Sequence, residues 1–397
     1  MLSGIADGIS SQAEKSVDNE ASMETFQSLF LTKELLYLCL CSLALELPQT
    51  KAKLYLMIKL AAVLAIYWLS NSLLPQQRHI RDLIIVSLIL LLINKNIKKL
   101  LLNINNKAIL VTGCDQGFGH GLAVRLDKLG FIVFAGCLYK DGEGAHSLQR
   151  KCSSRLHVLQ LDVSDCSQVE NAFEKVKDIL GEESLWGLVN NAGICYIGNS
   201  EIISTDDSLK IMDVNFRGPF LLCRKFLPLL RRSQGRIVNV SSNAGLAPVA
   251  LMGAYCCSKS ALFMLSEVLR AENEQWGVKV STIVPSGYKT GIISYDKVEM
   301  AQKWWQQAPK IVQKDFGREG FFINTKHTDS MLSSDFSPVF EAMIDGLLSP
   351  EPKQIYYKGF LSRLIPFLYS HLPYCLWEPI AGILTEWFEF TPAYNPK

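Results

Sequence analysis

The chain lacks the cysteine and histidine spacings that build metal or dithiol sites. Its eleven cysteines contain no CxxC pair, so neither a zinc ribbon nor a thioredoxin-type redox motif is encoded, and the thiols read as reduced in a cytosol-facing domain. Its six histidines (His79, His120, His146, His157, His327 and His371) show no HxxxH pair, and no metal is expected. Charge of one sign is also missing: 40 basic residues face 38 acidic ones, for a net +2. That balance gives no electrostatic footprint for nucleic acid, and a 49% hydrophobic content excludes a disordered chain. There is no internal repeat or low-complexity block. The first residues have no basic segment leading into an apolar one, so no secretory signal is expected.

What the chain has in quantity is apolar sequence near its start. Residues 1–34 read as a mobile tail, and 35–102 as a membrane-anchoring region of apolar helices. Three runs crowd into it: LLYLCLCSLALEL from Leu35, LYLMIKLAAVLAIYWLSNSLL over 54–74, and LIIVSLILLLI over 83–93. The second reaches the roughly 20 residues that cross a bilayer, with Lys59 near one end, where its long stem reaches the interface. Lys51, Lys53, Arg78, Arg81, Lys95, Lys98 and Lys99 flank the runs on every side, so the positive-inside rule fixes no orientation. The alternative is a buried helical hairpin in a soluble fold.

From 103 to 330 the pattern changes to short apolar strands alternating with amphipathic helices: AILVTG, FIVFAGCL, LHVLQLDV, LWGLVNNAG, GRIVNVSS and VKVSTIVPSG. This predicts an α/β fold, a Rossmann-type doubly wound parallel sheet whose ligand lies beyond the carboxyl ends of its strands. After about 330 the rhythm fades. Residues 331–397 are expected to form an aromatic and apolar extension that covers the substrate cleft or rests on a membrane surface.

Four motifs carry chemistry. TGCDQGFG (112–119) follows a strand and opens a helix; Gly113, Gly117 and Gly119 allow a tight turn and close approach of a pyrophosphate to a helix N-terminus. Tyr255 and Lys259, in AYCCSK, are four apart and share a helix face, an arrangement expected to lower the tyrosine pKa and suit it to proton transfer. Cys256 and Cys257 turn by about 100° and 200° from Tyr255, and read as packing residues. Ser242 ends the GRIVNV strand, thirteen positions before Tyr255. Asn215, in VNFRG, reads as a kink, a surface residue or a member of the site.

Taken in order, TGCDQGFG, LDV, NNAG, VNFRG and the Ser242, Tyr255, Lys259 set resemble the short-chain dehydrogenase/reductase family over roughly 106–290. The resemblance implies that Ser242 binds the substrate oxygen, Tyr255 transfers the proton, Lys259 holds the nicotinamide ribose and Asn215 holds a water linked to that lysine. It implies cofactor contacts at Gly113, Gly117, Phe118, Gly119, Asp162, Val163, Asn190, Ala192, Gly193, Tyr255, Lys259, Pro285 and Thr290. Ser286 departs from the family's usual Pro-Gly turn. Segments such as FAGCLYKDG, KFLPLLRRSQGRIVNVSS and QWGVKVSTIVPSG resemble the branch that contains type 2 17β-hydroxysteroid dehydrogenase, D-β-hydroxybutyrate dehydrogenase and the retinol dehydrogenases. That branch implies a membrane-attached enzyme in the endoplasmic reticulum or, as the runner-up, the mitochondrial inner membrane.

The second strand ends at Cys137 and Leu138, neither acidic nor basic, and Gln116 rather than a cation precedes the second motif glycine. NAD is therefore expected rather than NADP, with Lys140 as the residue that argues the other way. Trp304 and Trp305 offer either a surface for an elongated ligand or core packing. Lys289, Lys297 and Lys303, available to a hydroxy acid, look solvated. The expected partners are a lipophilic small-molecule alcohol or ketone and the membrane, with homo-oligomerisation left open. The rival readings are a 3-hydroxybutyrate-type dehydrogenase, an NADPH-dependent carbonyl reductase and a non-catalytic dinucleotide-binding scaffold.

Overall fold

The computed structural model describes residues 107–293, 295–321 and 332–385, together with Leu102 and Ile104. Strands β1 (Ala108–Thr112), β2 (Ile132–Cys137), β3 (Leu156–Gln160), β4 (Leu185–Asn190), β5 (Arg236–Val240), β6 (Lys279–Pro285) and β7 (Ile355–Lys358) form one sheet. Their order is β3-β2-β1-β4-β5-β6-β7, and every pairing is parallel. Winding therefore reverses between β1 and β4, which opens a crevice at their carboxyl ends.

Helices α1 (Gly117–Leu129), α2 (Glu143–Lys151), α3 (Cys166–Leu180), α4 (Thr205–Met212), α5 (Gly218–Ser233) and α6 (Gly253–Asn273) alternate with the first six strands. The pleat divides β1 between two cores. Ile109 and Val111 face one built with Leu122 and Leu126 of α1, whereas Ala108 and Leu110 face one built with Val169 of α3 and Phe226 of α5. Both faces are covered, and all five β1 residues are buried; this is why the strand reads as an unbroken apolar run.

Beyond β6 come α7 (Lys297–Gln307), α8 (Lys310–Phe321), α9 (Ser337–Leu348), α10 (Leu364–His371) and α11 (Tyr374–Thr385). In the segment after 330, α9 packs on the sheet, and β7 pairs with β6 from Thr282↔Ile355 to Pro285↔Lys358. Polar anchors hold both in place. Trp186 Nε1 donates to the Leu347 carbonyl at 2.9 Å, and Tyr356 Oη donates to Asp345 Oδ2 at 2.6 Å. In the stretch after β7, Phe360, Phe367, Tyr374 and Leu376 are exposed.

The expected tail and anchor region, 1–102, lies outside the described residues except for Leu102. Among the described residues no helix is long and apolar enough to cross a membrane.

Candidate active site

The glycine turn between β1 and α1 is built by close approach. Gly113 has φ 67°, and a Cβ there would lie 2.8 Å from the Ala192 Cα; one at Gly119 would lie 2.2 Å from the Gly113 carbonyl oxygen. Neither position admits a side chain. The first turn of α1 has no side-chain cap, so its orphan N–H groups stay available to an anion. These features fit a dinucleotide pyrophosphate. Gly117 (φ 61°) faces Thr290, whose Cβ would be 3.6 Å from a Cβ added at 117, and Gln116 Nε2 donates to the Gly291 carbonyl at 2.9 Å. The turn and the loop after β6 thus meet across the crevice.

Thr112 pins the next segment: its Oγ1 accepts from the N–H of both Asn191 and Ala192 at 3.0 Å, while Asn191 Nδ2 donates to the Thr112 carbonyl at 2.9 Å. Thr112 and Asn191 are structural members of the site that the sequence reading left unassigned. Asn190 turns the other way, its Nδ2 donating to Asn239 Oδ1 at 2.7 Å inside the sheet. Asp162 Oδ1 accepts from the Ser164 N–H at 2.9 Å, Val163 is buried against Gly218, and Pro285 ends β6. The Phe118 side chain packs edge-on against Tyr288 and Phe336, with ring centroids 5.4 and 5.1 Å apart.

Ser242, Asn215, Tyr255 and Lys259 are all buried. Tyr255 and Lys259 lie one turn apart on α6, with Lys259 Nζ 5.8 Å from the phenol ring centroid and donating to the Val240 carbonyl at 2.9 Å. Gly193 makes room for this group: a Cβ there would be 3.3 Å from Lys259 Nζ and 3.2 Å from Asn215 Oδ1. Asn215 occupies a π-helical turn, Asp213–Arg217, between α4 and α5; such turns often mark functional sites. Its Oδ1 accepts from the Ile194 N–H at 2.8 Å, and its Nδ2 donates to the Ile194 carbonyl at 2.9 Å and to Ser258 Oγ at 3.0 Å. Ser258 is a positioning residue that the sequence motifs do not announce.

The electrostatics correct one expectation. Burial raises the Tyr255 pKa, neighbouring Cys195 adds to the rise, and the Ser242 hydroxyl only partly opposes it. Lys259 is itself pushed down to about 8 by burial. In this state desolvation, not the ammonium one turn away, governs the phenol. Cys256 is partly buried with its pKa raised, mainly by burial, and behaves as a packing thiol.

Over the site, Trp304 is buried with Ile202, Ile203 and Val312, and its ring stands 5.9 Å from that of Tyr196. Trp304 Nε1 donates to Asp207 Oδ2 at 2.8 Å. Lys303, exposed as expected, also pairs with the same carboxylate at 2.9 Å. Tyr196 packs both in this cluster and in the one around Tyr255, so the α7 cluster is continuous with the surroundings of Tyr255.

The family model described as short chain dehydrogenase matches residues 107–300. Estradiol 17-beta-dehydrogenase 2 of Mus musculus is 39% identical over 299 residues, covering 73% of this chain and 78% of that one. The mitochondrial D-beta-hydroxybutyrate dehydrogenase of Bos taurus is 37% identical over 265 residues, covering 64% and 77%. A short-chain dehydrogenase structure from Streptomyces avermitilis superposes with TM-score 0.54 at 22% identity, covering 71% of this chain and 96% of that one, and supports the fold. With Ser242, Tyr255 and Lys259 gathered at the sheet's carboxyl edge, the chain belongs to the short-chain dehydrogenase/reductase family, in the branch of these relatives, as an NAD(P)-dependent oxidoreductase of CH–OH groups.

Proposed function

We propose that the protein is a membrane-anchored, NAD-linked dehydrogenase of lipophilic secondary alcohols, steroid-like or retinol-like, that also runs the reverse ketone reduction. The observation that carries the reading is the buried Tyr255, with Lys259 one turn away on α6 and Ser242 buried with them. When bound, the nicotinamide ring supplies the hydride acceptor for oxidation and the donor for reduction. Ser242 Oγ orients the substrate oxygen, and Tyr255 Oη takes its proton in oxidation or returns it in reduction. Lys259 Nζ, charged below about pH 8, holds the ribose and favours the phenolate as it forms. Asn215 keeps the π turn and α6 in register beside it.

A lipophilic substrate is supported by the aromatic group of Tyr196, Tyr295 and Trp304. Lys303, which would otherwise offer a cation to a substrate carboxylate, is already paired with Asp207. The relatives named for estradiol 17-beta activity point the same way. Membrane anchoring rests on the apolar sequence of 35–102; the endoplasmic reticulum is the proposed location and the mitochondrial inner membrane its rival.

The test is a substrate screen of the detergent-solubilised full chain with steroids, retinol and 3-hydroxybutyrate, each with NAD and NADP. A steroid or retinoid should exceed 3-hydroxybutyrate in kcat/KM by at least about a hundredfold. Turnover of the hydroxy acid alone would replace this reading with its rival. Dinucleotide binding without turnover of any alcohol would indicate a scaffold.

A further inference from the structure

We propose that Asp115, in the glycine turn, selects the cofactor that lacks a 2′-phosphate, performing from β1 the task that the end of β2 leaves undone. The inference rests on the NAD reading above and names the residue responsible for it. Dinucleotide folds read the adenosine ribose where β2 ends, with an acid for a hydroxyl or a cation for a phosphate. Here β2 ends at Cys137 and is followed by Leu138 and Tyr139, none of which is a carboxylate or a cation.

The structure brings a carboxylate to that place from another turn. Asp115 Oδ2 accepts from the Leu138 N–H at 2.9 Å and Oδ1 accepts from the Tyr139 N–H at 3.1 Å. The two amides that follow β2 are therefore consumed, and both residues that own them are exposed at the rim of the crevice. A 2′-phosphate arriving there finds neither N–H free and meets a negative charge. A 2′-hydroxyl finds an acceptor instead.

The carboxylate is held in place from several sides. A Cβ at Gly144 would lie 2.0 Å from the Asp115 carbonyl oxygen, so the first turn of α2 packs directly on the Asp115 backbone. The loop it binds is tied by Gln160, whose Nε2 donates to the Leu138 carbonyl at 2.7 Å and whose Oε1 accepts from the Lys140 N–H at 3.0 Å. The other charges on this rim are Lys140 and Asp141, both exposed, and Glu143, which is paired with Arg150. Gln116, where a phosphate-binding cation would stand, is neutral and bonded to Gly291.

The experiment titrates NADH and NADPH separately into the solubilised full chain and follows nicotinamide fluorescence, so that binding is read without turnover. The wild-type protein is expected to bind NADH more tightly. Asp115→Asn, which removes the charge and keeps one acceptor, should narrow the NADH-to-NADPH affinity ratio at least about tenfold, chiefly by tightening NADPH. Asp115→Ser, with thermal unfolding measured alongside, provides the same test should the first variant fold poorly. An unchanged ratio in a folded variant overturns the role of Asp115 while the NAD reading stands. Equal affinities in the wild-type protein overturn both, and that result appears before any substitution is made.

Discussion

Asn215 Nδ2 donates to Ser258 Oγ over 3.0 Å, and Ser258 Oγ donates in turn to the Tyr255 carbonyl at 2.8 Å. The π turn and the helix that carries Tyr255 are thus joined by a buried relay. Asn215→Ala removes both side-chain contacts to the Ile194 backbone and leaves Ser258 Oγ without its donor. The expected loss is about 1–3 kcal/mol of unfolding free energy, with the denaturant slope unchanged. Urea melts of both proteins measure it; equal midpoints would remove the relay from the account of how the site is held.

Tyr255→Phe keeps the ring's packing and removes only the phenolic oxygen. Turnover should fall by about 10²–10⁴-fold in both directions, while NADH affinity stays within about twofold. Steady-state rates together with fluorescence titration separate the two. A phenylalanine variant that keeps its rate would assign the proton transfer to another group.

The sheet was legible because its strands obey simple rules: β1 and β4 are buried on every residue and read as continuous apolar runs. β7 was not, since IYYK is four residues long and pairs with β6 across more than 70 positions of sequence. The Ser242, Tyr255 and Lys259 set was legible because helical spacing and strand ends place it. Its electrostatics were not, because i, i+4 spacing reports the nearby ammonium but says nothing of burial. Asp115 escaped for a related reason: reading along the chain looks for the ribose acid at Cys137 and Leu138, and the carboxylate arrives there through space. The pairing of Lys303 with Asp207, 96 residues away, is equally invisible to local pattern.

Lys259 makes stability depend on alkaline pH. Its folded pKa, about 8, lies below the ordinary 10.5, chiefly through burial, so the native state binds fewer protons than the unfolded chain between those values. Stability therefore rises with pH across that window, and the cost of burying the charge is fully present below it. Lys259→Met carries no such charge. Its stability relative to wild type should be greatest below about pH 8 and should decline as pH climbs toward 10.5. Paired denaturant titrations across the window check the sign; a constant difference between the two proteins would place the ammonium in contact with water.

The lid makes a separable prediction. Burial alone would raise the Asp207 pKa, but hydrogen bonds from Ser204, Lys303 and Trp304 hold it below the usual carboxylate range, so the anchor is ionised at neutral pH. Asp207→Ala strips the buried Trp304 indole of its acceptor, a loss of about 1–3 kcal/mol, and frees Lys303. Since α7 touches the pocket through Tyr196, KM for a bulky alcohol should rise about tenfold while kcat stays within about threefold and NADH affinity does not move. Asp207→Asn keeps a carbonyl oxygen for Trp304 Nε1 and should recover much of the KM. A fall in kcat at unchanged KM would show instead that the anchor serves the chemical step, and that α7 does not grip the substrate.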